Sequence, residues 1–222
     1  MAVNLAVYQE ILEELTPKNI TLVAVSKTKP VADILELYEA GQRDFGENYV
    51  QELVAKQPLL PGDIRWHFIG HLQTNKVKSI APFIHLIHSL DSIRLLKEVD
   101  KQATANNRTI SCLLQVHIAS EETKFGWSPA EVPAALSEIE KLSPKSVSIQ
   151  GLMGMASLTA EESRIRQEFQ ELALLSEQQG HRYPKLKVLS MGMSSDYKIA
   201  IQAGSTLVRI GSLLFGERKY SV

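Results

Sequence analysis

The sequence predicts an α/β fold in which eight strands and the helices between them close into a (β/α)8 barrel, or TIM barrel. Short apolar runs alternate with amphipathic stretches along all 222 residues, which is the pattern of repeated strand–helix units. Eight of the runs have the length of a strand, and most are apolar almost throughout, as parallel strands covered on both faces are. No low-complexity linker divides the chain, so we expect one domain over residues 1–222.

An additional helix and then eight strands follow one another from the N-terminus. Apolar residues recur at helical spacing over residues 6–15, before Pro17, and predict the helix. The predicted strands cover residues 21–26, 43–45, 64–69, 84–90, 112–118, 147–153, 187–190 and 206–210. An open doubly wound sheet is the alternative fold. However, the first strand leads into Ser-Lys-Thr-Lys-Pro at residues 26–30, where a dinucleotide-binding sheet would have a glycine-rich turn.

Capping signals place two of the helices that lie between strands. Pro30 stands where the first residue of a helix is expected, and Gly41 follows the last periodic residue of the same segment. Thr159 and Glu162 have the spacing of a capping box and open a second helix. We expect Gly180 to end that helix.

Composition excludes several classes of protein and partner. Lys and Arg number 24 and Asp and Glu number 25, so the net charge of −1 gives no electrostatic case for a nucleic acid or an anionic membrane. The N-terminal residues lack the basic start of a signal peptide, and no apolar run reaches the roughly 18 residues of a membrane span. We therefore expect a cytoplasmic protein. Cys112 is the single cysteine, and His67 and His71 share no helix face, so no metal site is predicted.

Lys27 directly follows the first predicted strand. Active sites of such barrels lie at the carboxyl ends of the strands, so we expect this lysine to point into the mouth of the barrel. Partial loss of water there would lower the pKa of its amine and make it a nucleophile for an aldehyde. The ordinary alternative is a rim lysine that extends into solvent, which we expect for the neighbouring Lys29.

Small residues follow the seventh and eighth strands and predict a phosphate site. The first of these loops contains Ser194 and Ser195, and the second contains Gly211 and Ser212. Barrels often bind phosphate at these two loops, because small residues let backbone N–H groups approach and serine hydroxyls add donors. The alternative is that the serines only cap a helix and that Gly211 only forms a turn.

Arg209 interrupts an otherwise apolar strand, and a buried charge needs a partner. Two kinds of partner are open: a carboxylate at the rim, such as Glu47 or Glu217, or a ring nitrogen of a bound ligand. Asn48 follows the second strand and His71 follows the third, so both are expected at the same mouth.

A lysine, an arginine and a phosphate cup in one barrel mouth together suggest pyridoxal 5′-phosphate (PLP) as the ligand. Lys27 would form a Schiff base with its aldehyde, the two loops would hold its phosphate, and Arg209 would contact its pyridine nitrogen. A permanently charged arginine leaves that nitrogen unprotonated, whereas an aspartate would protonate it and make the ring an electron sink. Such a site holds the cofactor without strongly activating it.

Seven segments of the chain together resemble one known family. They are Ala-Val-Ser-Lys-Thr-Lys at 24–29, Phe-Gly-Glu-Asn-Tyr-Val-Gln-Glu at 45–52, Trp-His-Phe-Ile-Gly at 66–70, Leu-Gln-Thr-Asn-Lys at 72–76, Gly-Leu-Met at 151–153, Leu-Ser-Met-Gly-Met-Ser at 189–194 and Val-Arg-Ile-Gly at 208–211. In this order, and over nearly the whole chain, they resemble the pyridoxal phosphate homeostasis proteins.

The resemblance implies a fold-type III PLP-binding barrel similar to the N-terminal domain of bacterial alanine racemase. It implies Lys27 as the Schiff-base lysine and Arg209 as the partner of the pyridine nitrogen. It further implies two sets of binding residues: Ser194, Ser195, Gly211 and Ser212 for the phosphate, and Asn48, His71 and Met153 as lining of the pocket. Members of this family are similar in having no established catalytic activity; they bind PLP and affect the balance of vitamin B6 vitamers and of amino and keto acids.

Four functions remain to be weighed. The leading one is a PLP carrier that buffers the cofactor or hands it to apoenzymes. The second is an amino-acid racemase or decarboxylase; racemases of this fold take a second base from a partner's C-terminal domain, and because the chain ends at Val222 we expect only weak activity and a monomer. The third is a regulatory module sensed by a protein partner. The fourth is a Schiff-base aldolase for a sugar phosphate, which gives Arg209 no specific role.

Overall fold

The computed structural model describes residues 3–121 and 125–216, and all eight predicted strands are present in these two ranges. The strands are β1 Thr21–Val25, β2 Asp44–Glu47, β3 Arg65–Phe68, β4 Leu86–Leu90, β5 Ile110–Val116, β6 Val147–Gly154, β7 Val188–Ser190 and β8 Leu207–Ile210. Two strands differ most from the prediction: β5 begins and ends two residues earlier, and β2 extends two residues further, through Gly46 and Glu47. Glycine and glutamate do not favour strands, so the apolar pattern of β2 predicts an end that is too early.

The strands close into a barrel in chain order, from β1 to β8. Every neighbouring pair is parallel, and β1 completes the ring by pairing with β8 from Thr21↔Leu207 to Ala24↔Ile210. The predicted (β/α)8 barrel is therefore confirmed, and the open doubly wound sheet is wrong. Because the strands are parallel, their carboxyl ends all meet at one mouth.

Helices cover the outside of the barrel. They are α1 Leu5–Leu15, α2 Val31–Glu39, α3 Val50–Lys56, α4 Val77–Ile80, α5 Ile93–Ala105, α6 Val132–Leu142, α7 Glu162–Arg182, α8 Tyr197–Gln202 and α9 Ser212–Phe215. The additional N-terminal helix is thus confirmed as α1. The backbone N–H of Asn4, which precedes it, donates to the carbonyl of Leu214 in α9 at 2.8 Å. This bond joins the two ends of the described chain.

Two predicted helix boundaries are corrected. The helix α7 does not end at Gly180 but continues to Arg182, because a glycine inside a helix costs only about 1 kcal/mol and Pro184 then stops it. Pro30 lies just before α2 as its cap residue and not inside it. The predicted capping box of Thr159 and Glu162 is wrong: the cap residue of α7 is Glu161, and it makes no side-chain cap hydrogen bond. The Thr159 hydroxyl instead accepts the N–H of Glu161 at 3.1 Å.

Apolar side chains fill two layers. The larger one lies between the strands and the helices and includes Phe45, Phe68 and Phe169. A smaller cluster lies inside the barrel and contains Val23, Leu86, Leu113, Met153 and Leu207. Within the described ranges, no helix has both the length and the apolar character needed to cross a membrane. The extent of a single domain over residues 1–222 stays a prediction.

Candidate functional site

A cavity of about 450 Å³ opens at the mouth of the barrel, where the strands end. Seven of the nine predicted site residues line it: Lys27, Asn48, Ser194, Ser195, Arg209, Gly211 and Ser212. They come from the ends of strands far apart in the sequence, which only the closed ring brings together. The cavity also has lining residues that the sequence analysis did not identify as site residues, among them Lys29, Met155 and Met193.

A buried ion cluster supports the loop that carries Lys27. The ammonium group of Lys56 in α3 donates to the carbonyl of Ser26 at 2.8 Å, to Glu47 at 2.8 Å and to Glu52 at 2.6 Å. The Ser26 hydroxyl donates to the same Glu47 carboxylate at 2.6 Å. Burial raises the pKa of Glu47 above its ordinary value, although the Lys56 charge opposes the shift. The cluster fixes the end of β1 directly before Lys27.

The residue after Lys27 adopts a strained backbone conformation. Thr28 has a φ of 64°, in the left-handed region that β-branched residues avoid. Its backbone N–H donates to Glu52, which holds the strained turn. The ammonium group of Lys29 donates to the carbonyls of Phe215 and Gly216 at 2.7 and 3.0 Å. The prediction that Lys29 extends into solvent is therefore wrong, because its ammonium group is hydrogen-bonded at the wall of the cavity.

Arg209 lies almost fully buried in β8, with 4% of its surface exposed. Its guanidinium donates to the carbonyl and the hydroxyl of Ser190 and to the carbonyl of Gly154. Burial lowers the pKa of Arg209 to about 10, against the opposing effect of the Asp196 charge, so the group stays protonated at neutral pH. The suggested rim partner Glu47 is wrong, because Glu47 pairs with Lys56.

The other suggested rim partner of this arginine, Glu217, lies outside the described residues. The ring nitrogen of a ligand, the remaining expectation from the sequence, is consistent with the position of Arg209 in the cavity wall.

The loops after β7 and β8 contact each other at the cavity. The N–H of Gly211 donates to the Ser194 hydroxyl at 3.2 Å, and the N–H of Met193 donates to Asp196 at 2.6 Å. Gly192 has a φ of 96°, and a Cβ there would lie 2.6 Å from a side-chain carbon of Ala200. Only glycine therefore allows this approach, which gives the cup its shape.

Asn48 lines the cavity and carries one unsatisfied polar atom. Within the described residues, its side-chain oxygen is buried and has no hydrogen-bond partner. Gly70 makes the position possible, because a Cβ there would lie only 2.2 Å from the Asn48 carbonyl oxygen. A buried acceptor without a partner is costly, so this amide is suited to a donor on a ligand.

Two predicted pocket residues lie elsewhere. His71 lines a neighbouring cleft, where its ring contacts Asp91 at 3.1 Å and stacks on Phe125 with centroids 3.9 Å apart. Met153 packs into the apolar cluster inside the barrel, and Met155, two residues further along, lines the cavity instead. Alternation along the strand places residues of equal parity on one face, but it does not tell which of two methionines reaches the mouth.

A group of candidate metal ligands lies below this cavity, in the described part of the barrel. It consists of Asp44, His67 and His85. The Asp44 carboxylate already accepts hydrogen bonds from Arg65 at 2.7 Å and from His67 at 2.9 Å. Asp44 and His67 thus already have hydrogen-bond partners, so we assign no metal to the group.

Comparison with known proteins identifies the class to which this barrel belongs. The family model described as "Alanine racemase, N-terminal domain" matches residues 3–219. The alanine racemase of Clostridium difficile 630 has the same fold, with a TM-score of 0.76 at 13% identity over 99% of this chain and 58% of that one. The fold and the match define a barrel of the alanine racemase N-terminal class.

More similar relatives narrow the class. The pyridoxal phosphate homeostasis protein of Vibrio alginolyticus is 41% identical over 212 residues, which are 93% of this chain and 90% of the relative. The structure of PipY from Synechococcus elongatus PCC7942 without PLP has a TM-score of 0.89 at 37% identity, over 95% of this chain and 99% of that one. With PLP bound, the TM-score is 0.83, over 94% and 98%. The chain belongs to the pyridoxal phosphate homeostasis protein family.

Proposed function

We propose that this protein binds PLP at the mouth of the barrel and takes part in PLP homeostasis, holding the cofactor reversibly on Lys27. The observation that carries the proposal is the meeting of three kinds of group in one cavity: the Lys27 amine, the buried Arg209 cation and two loops of small residues. The family name of the relatives and the PLP-bound structure of PipY support the same ligand.

The residues of the cavity fit each part of PLP. Lys27 would bind the aldehyde carbon as a Schiff base, and Arg209 would contact the pyridine nitrogen. The phosphate would lie among the small residues of the two loops, namely Ser194, Ser195, Gly211 and Ser212. The unsatisfied oxygen of Asn48 offers an acceptor to the phenolic hydroxyl. When bound, PLP supplies an aldehyde that exchanges between amines and a ring that can withdraw electrons.

Arg209 favours a carrier over an enzyme. A guanidinium with a pKa of about 10 keeps its own proton at neutral pH and gives none to the ring nitrogen. An unprotonated ring is a weak electron sink, so a carbanion next to it is poorly stabilised. We therefore propose that the protein buffers PLP, affects the balance of amino and keto acids in this way, and hands the cofactor to apoenzymes.

The first test maps the anchoring lysine. Purified protein loaded with PLP is reduced with borohydride and digested, and the modified peptide is sequenced by mass spectrometry. We expect the adduct on Lys27 and its complete loss in Lys27→Ala, with an unchanged circular dichroism spectrum, because a half-buried lysine contributes little packing. Lys29→Ala is the matched control and should keep the adduct. An adduct on any other lysine, or none in the wild-type protein, contradicts the proposal.

The second test separates carrier from enzyme. A racemase or decarboxylase is the alternative, since the fold is shared with an alanine racemase. The loaded protein is incubated with amino acids and, separately, with a PLP-dependent apoenzyme. We expect activation of the apoenzyme and negligible turnover of amino acids. Turnover at ordinary enzyme rates, roughly 1–10³ per second, contradicts the carrier function. The monomeric state and the cytoplasmic location stay predictions, and size-exclusion chromatography with light scattering tests the former.

A further inference from the structure

A line of buried polar side chains runs through the barrel interior, away from the cavity. It starts at Arg209, which donates to the hydroxyl of Ser190. The Ser190 hydroxyl lies 3.0 Å from Nδ1 of His88, and Nε2 of His88 lies 2.9 Å from Nδ1 of His67. Nε2 of His67 lies 2.9 Å from the carboxylate of Asp44. Four hydrogen bonds thus connect β8, β7, β4, β3 and β2 across the barrel.

When both histidines are neutral, the chemistry of the two ends fixes the direction of every bond in this line. A guanidinium only donates hydrogen bonds, and a carboxylate only accepts them. Arg209 therefore donates to Ser190, the Ser190 hydroxyl donates to Nδ1 of His88, Nε2–H of His88 donates to His67, and Nε2–H of His67 donates to Asp44. Both histidines are assigned the Nε2–H tautomer by this network.

An additional proton on the histidine pair would break this order. On His88 it would reverse the His88–Ser190 bond, and on His67 it would reverse the His67–His88 bond as well. In either case the hydrogen of the Ser190 hydroxyl would lose its acceptor in the line. A second positive charge would also lie close to Arg209 in a fully buried place. Burial lowers the pKa of His88, and the neighbouring His67 and Arg209 charges act in the same direction. Burial therefore favours a neutral His88, and the order described above is the one in which His67 is neutral as well.

The far end of the line is anchored at the opposite end of the barrel. Asp44 also accepts two hydrogen bonds from Arg65, whose side chain is 48% exposed. Although burial opposes ionisation, the bonds from Arg65 and His67 hold the pKa of Asp44 well below its ordinary value. The carboxylate thus stays an acceptor at neutral pH, and the direction of the line is constant.

We propose that Ser190, His88, His67 and Asp44 form a directional hydrogen-bond chain that positions the Arg209 guanidinium for the pyridine ring of PLP. This inference rests on the proposed function. A serine hydroxyl rotates freely, and its hydrogen could turn towards Arg209 and repel it. His88 Nδ1 draws that hydrogen away, so that a lone pair of Ser190 faces the guanidinium. The four residues act through Arg209 and are positioning residues.

The tautomers can be tested on the PLP-free protein. Long-range ¹H–¹⁵N spectra of histidine-labelled protein distinguish the two ring nitrogens. Variants that each lack one of the six histidines assign the signals to individual rings. We expect Nε2–H signals for His67 and His88, with a changed Nδ1 shift of His88 in Ser190→Ala. A Nδ1–H tautomer at either ring, or a His88 signal unaffected by Ser190→Ala, overturns the proposed hydrogen-bond chain.

The effect on the site is tested by PLP retention. We expect PLP to leave Ser190→Ala and His88→Leu about tenfold faster or more, as follows from weakening a hydrogen bond to a charged group, with a shifted absorption maximum of the bound cofactor. His88→Asn, which keeps an acceptor for Ser190, should restore slow release. Ser205→Ala is the matched control, because this buried hydroxyl lies within hydrogen-bond distance of the carbonyls of Leu189, Met191 and Leu207 and takes no part in the hydrogen-bond chain.

The outcomes separate the two proposals. Release rates in Ser190→Ala equal to those of the wild type and of Ser205→Ala overturn the positioning role. If the wild-type protein binds no PLP, the proposed function fails. The histidine spectra of the same protein still decide whether the hydrogen-bond chain exists. If His88→Leu does not fold, Ser190→Ala and the wild-type spectra carry the decision.

Discussion

Arg209 combines a permanent charge with nearly complete burial, and its surroundings show how a strand tolerates this. Two carbonyl oxygens and one hydroxyl, from Ser190 and Gly154, accept its N–H groups. A buried charge with such bonds avoids most of the penalty of an unsatisfied one. Arg209 also lines the cavity, so its guanidinium is available to a ligand there.

At the same scale, His88 predicts a pH dependence of stability. Burial holds the pKa of His88 below its ordinary value, and His67, Arg209 and His85 act in the same direction. Below about pH 6.5 the unfolded chain therefore binds a proton that the folded state does not. We expect the free energy of unfolding to fall as the pH falls below that value, by up to about 1.4 kcal/mol per pH unit for this residue.

Urea unfolding of the PLP-free protein between pH 5 and 7 measures this slope. His85, whose pKa burial also lowers, adds to the wild-type slope. The variant His88→Asn should therefore retain a smaller slope. Identical slopes in both proteins would show that His88 takes up its proton in the folded state.

Site residues could be predicted from the sequence where they directly follow or lie within a strand. Lys27, Asn48 and Arg209 follow from reading the end of each strand, since all strands end at one mouth. The partners of Arg209 were not predictable, because Ser190 and Gly154 lie 19 and 55 residues away in sequence. Glu47 was mistaken for such a partner because its true partner Lys56 lies on a helix that pattern analysis did not connect with it.

At the scale of elements, α3 acts as a support for the end of β1. Lys56 on this helix, Glu47 on β2 and the Ser26 carbonyl form one buried cluster. Lys56 is 6% exposed and Glu47 is fully buried. Such a buried ion pair adds little to the free energy of unfolding, but removing only one of its partners is strongly destabilising.

The cluster yields a test by double substitution. Lys56→Met leaves the Glu47 carboxylate buried without its cation, so we expect a loss of about 3 kcal/mol or more in the free energy of unfolding. The double variant Lys56→Met with Glu47→Leu replaces the pair by apolar groups and should recover most of that loss. Denaturant unfolding of both variants checks this; a double variant as unstable as the single one would refute the account.

Elements were predicted best where apolar runs were continuous and least well at their ends. All eight strands exist, yet β2 continues through Gly46, which packs against Val23 so closely that a Cβ would lie 2.9 Å from its side chain. That approach depends on the neighbouring strand and leaves no local signal. Gly180 was expected to end α7, but nothing in its surroundings requires a left-handed residue, and the helix continues.

At the scale of the molecule, the barrel separates two kinds of interior. One part of it is apolar and contains the cluster of Val23, Leu113 and Leu207. A polar line that includes His88 and His67 passes beside this cluster and links the mouth to the opposite end. Sequence analysis assigned no role to His67 and His88, because hydrogen bonds between different strands leave no fixed spacing in the sequence.

The bond between Asn4 and Leu214 has a consequence for how the chain can be cut and rejoined. Since these residues are 2.8 Å apart at the joined atoms, a short flexible linker can connect Gly216 to Val3. New termini can be opened at Gly62, where even an added Cβ would meet only open space, in the loop before β3 and away from the mouth.

We expect such a circular permutant to fold and to bind PLP with the wild-type absorption spectrum, because residues 3–216 supply the ring of strands and the lining of the cavity. Thermal unfolding and PLP titration of the permutant measure this. A permutant that folds but loses PLP would mean that the order in which the strands are connected, and not the closed ring alone, shapes the mouth.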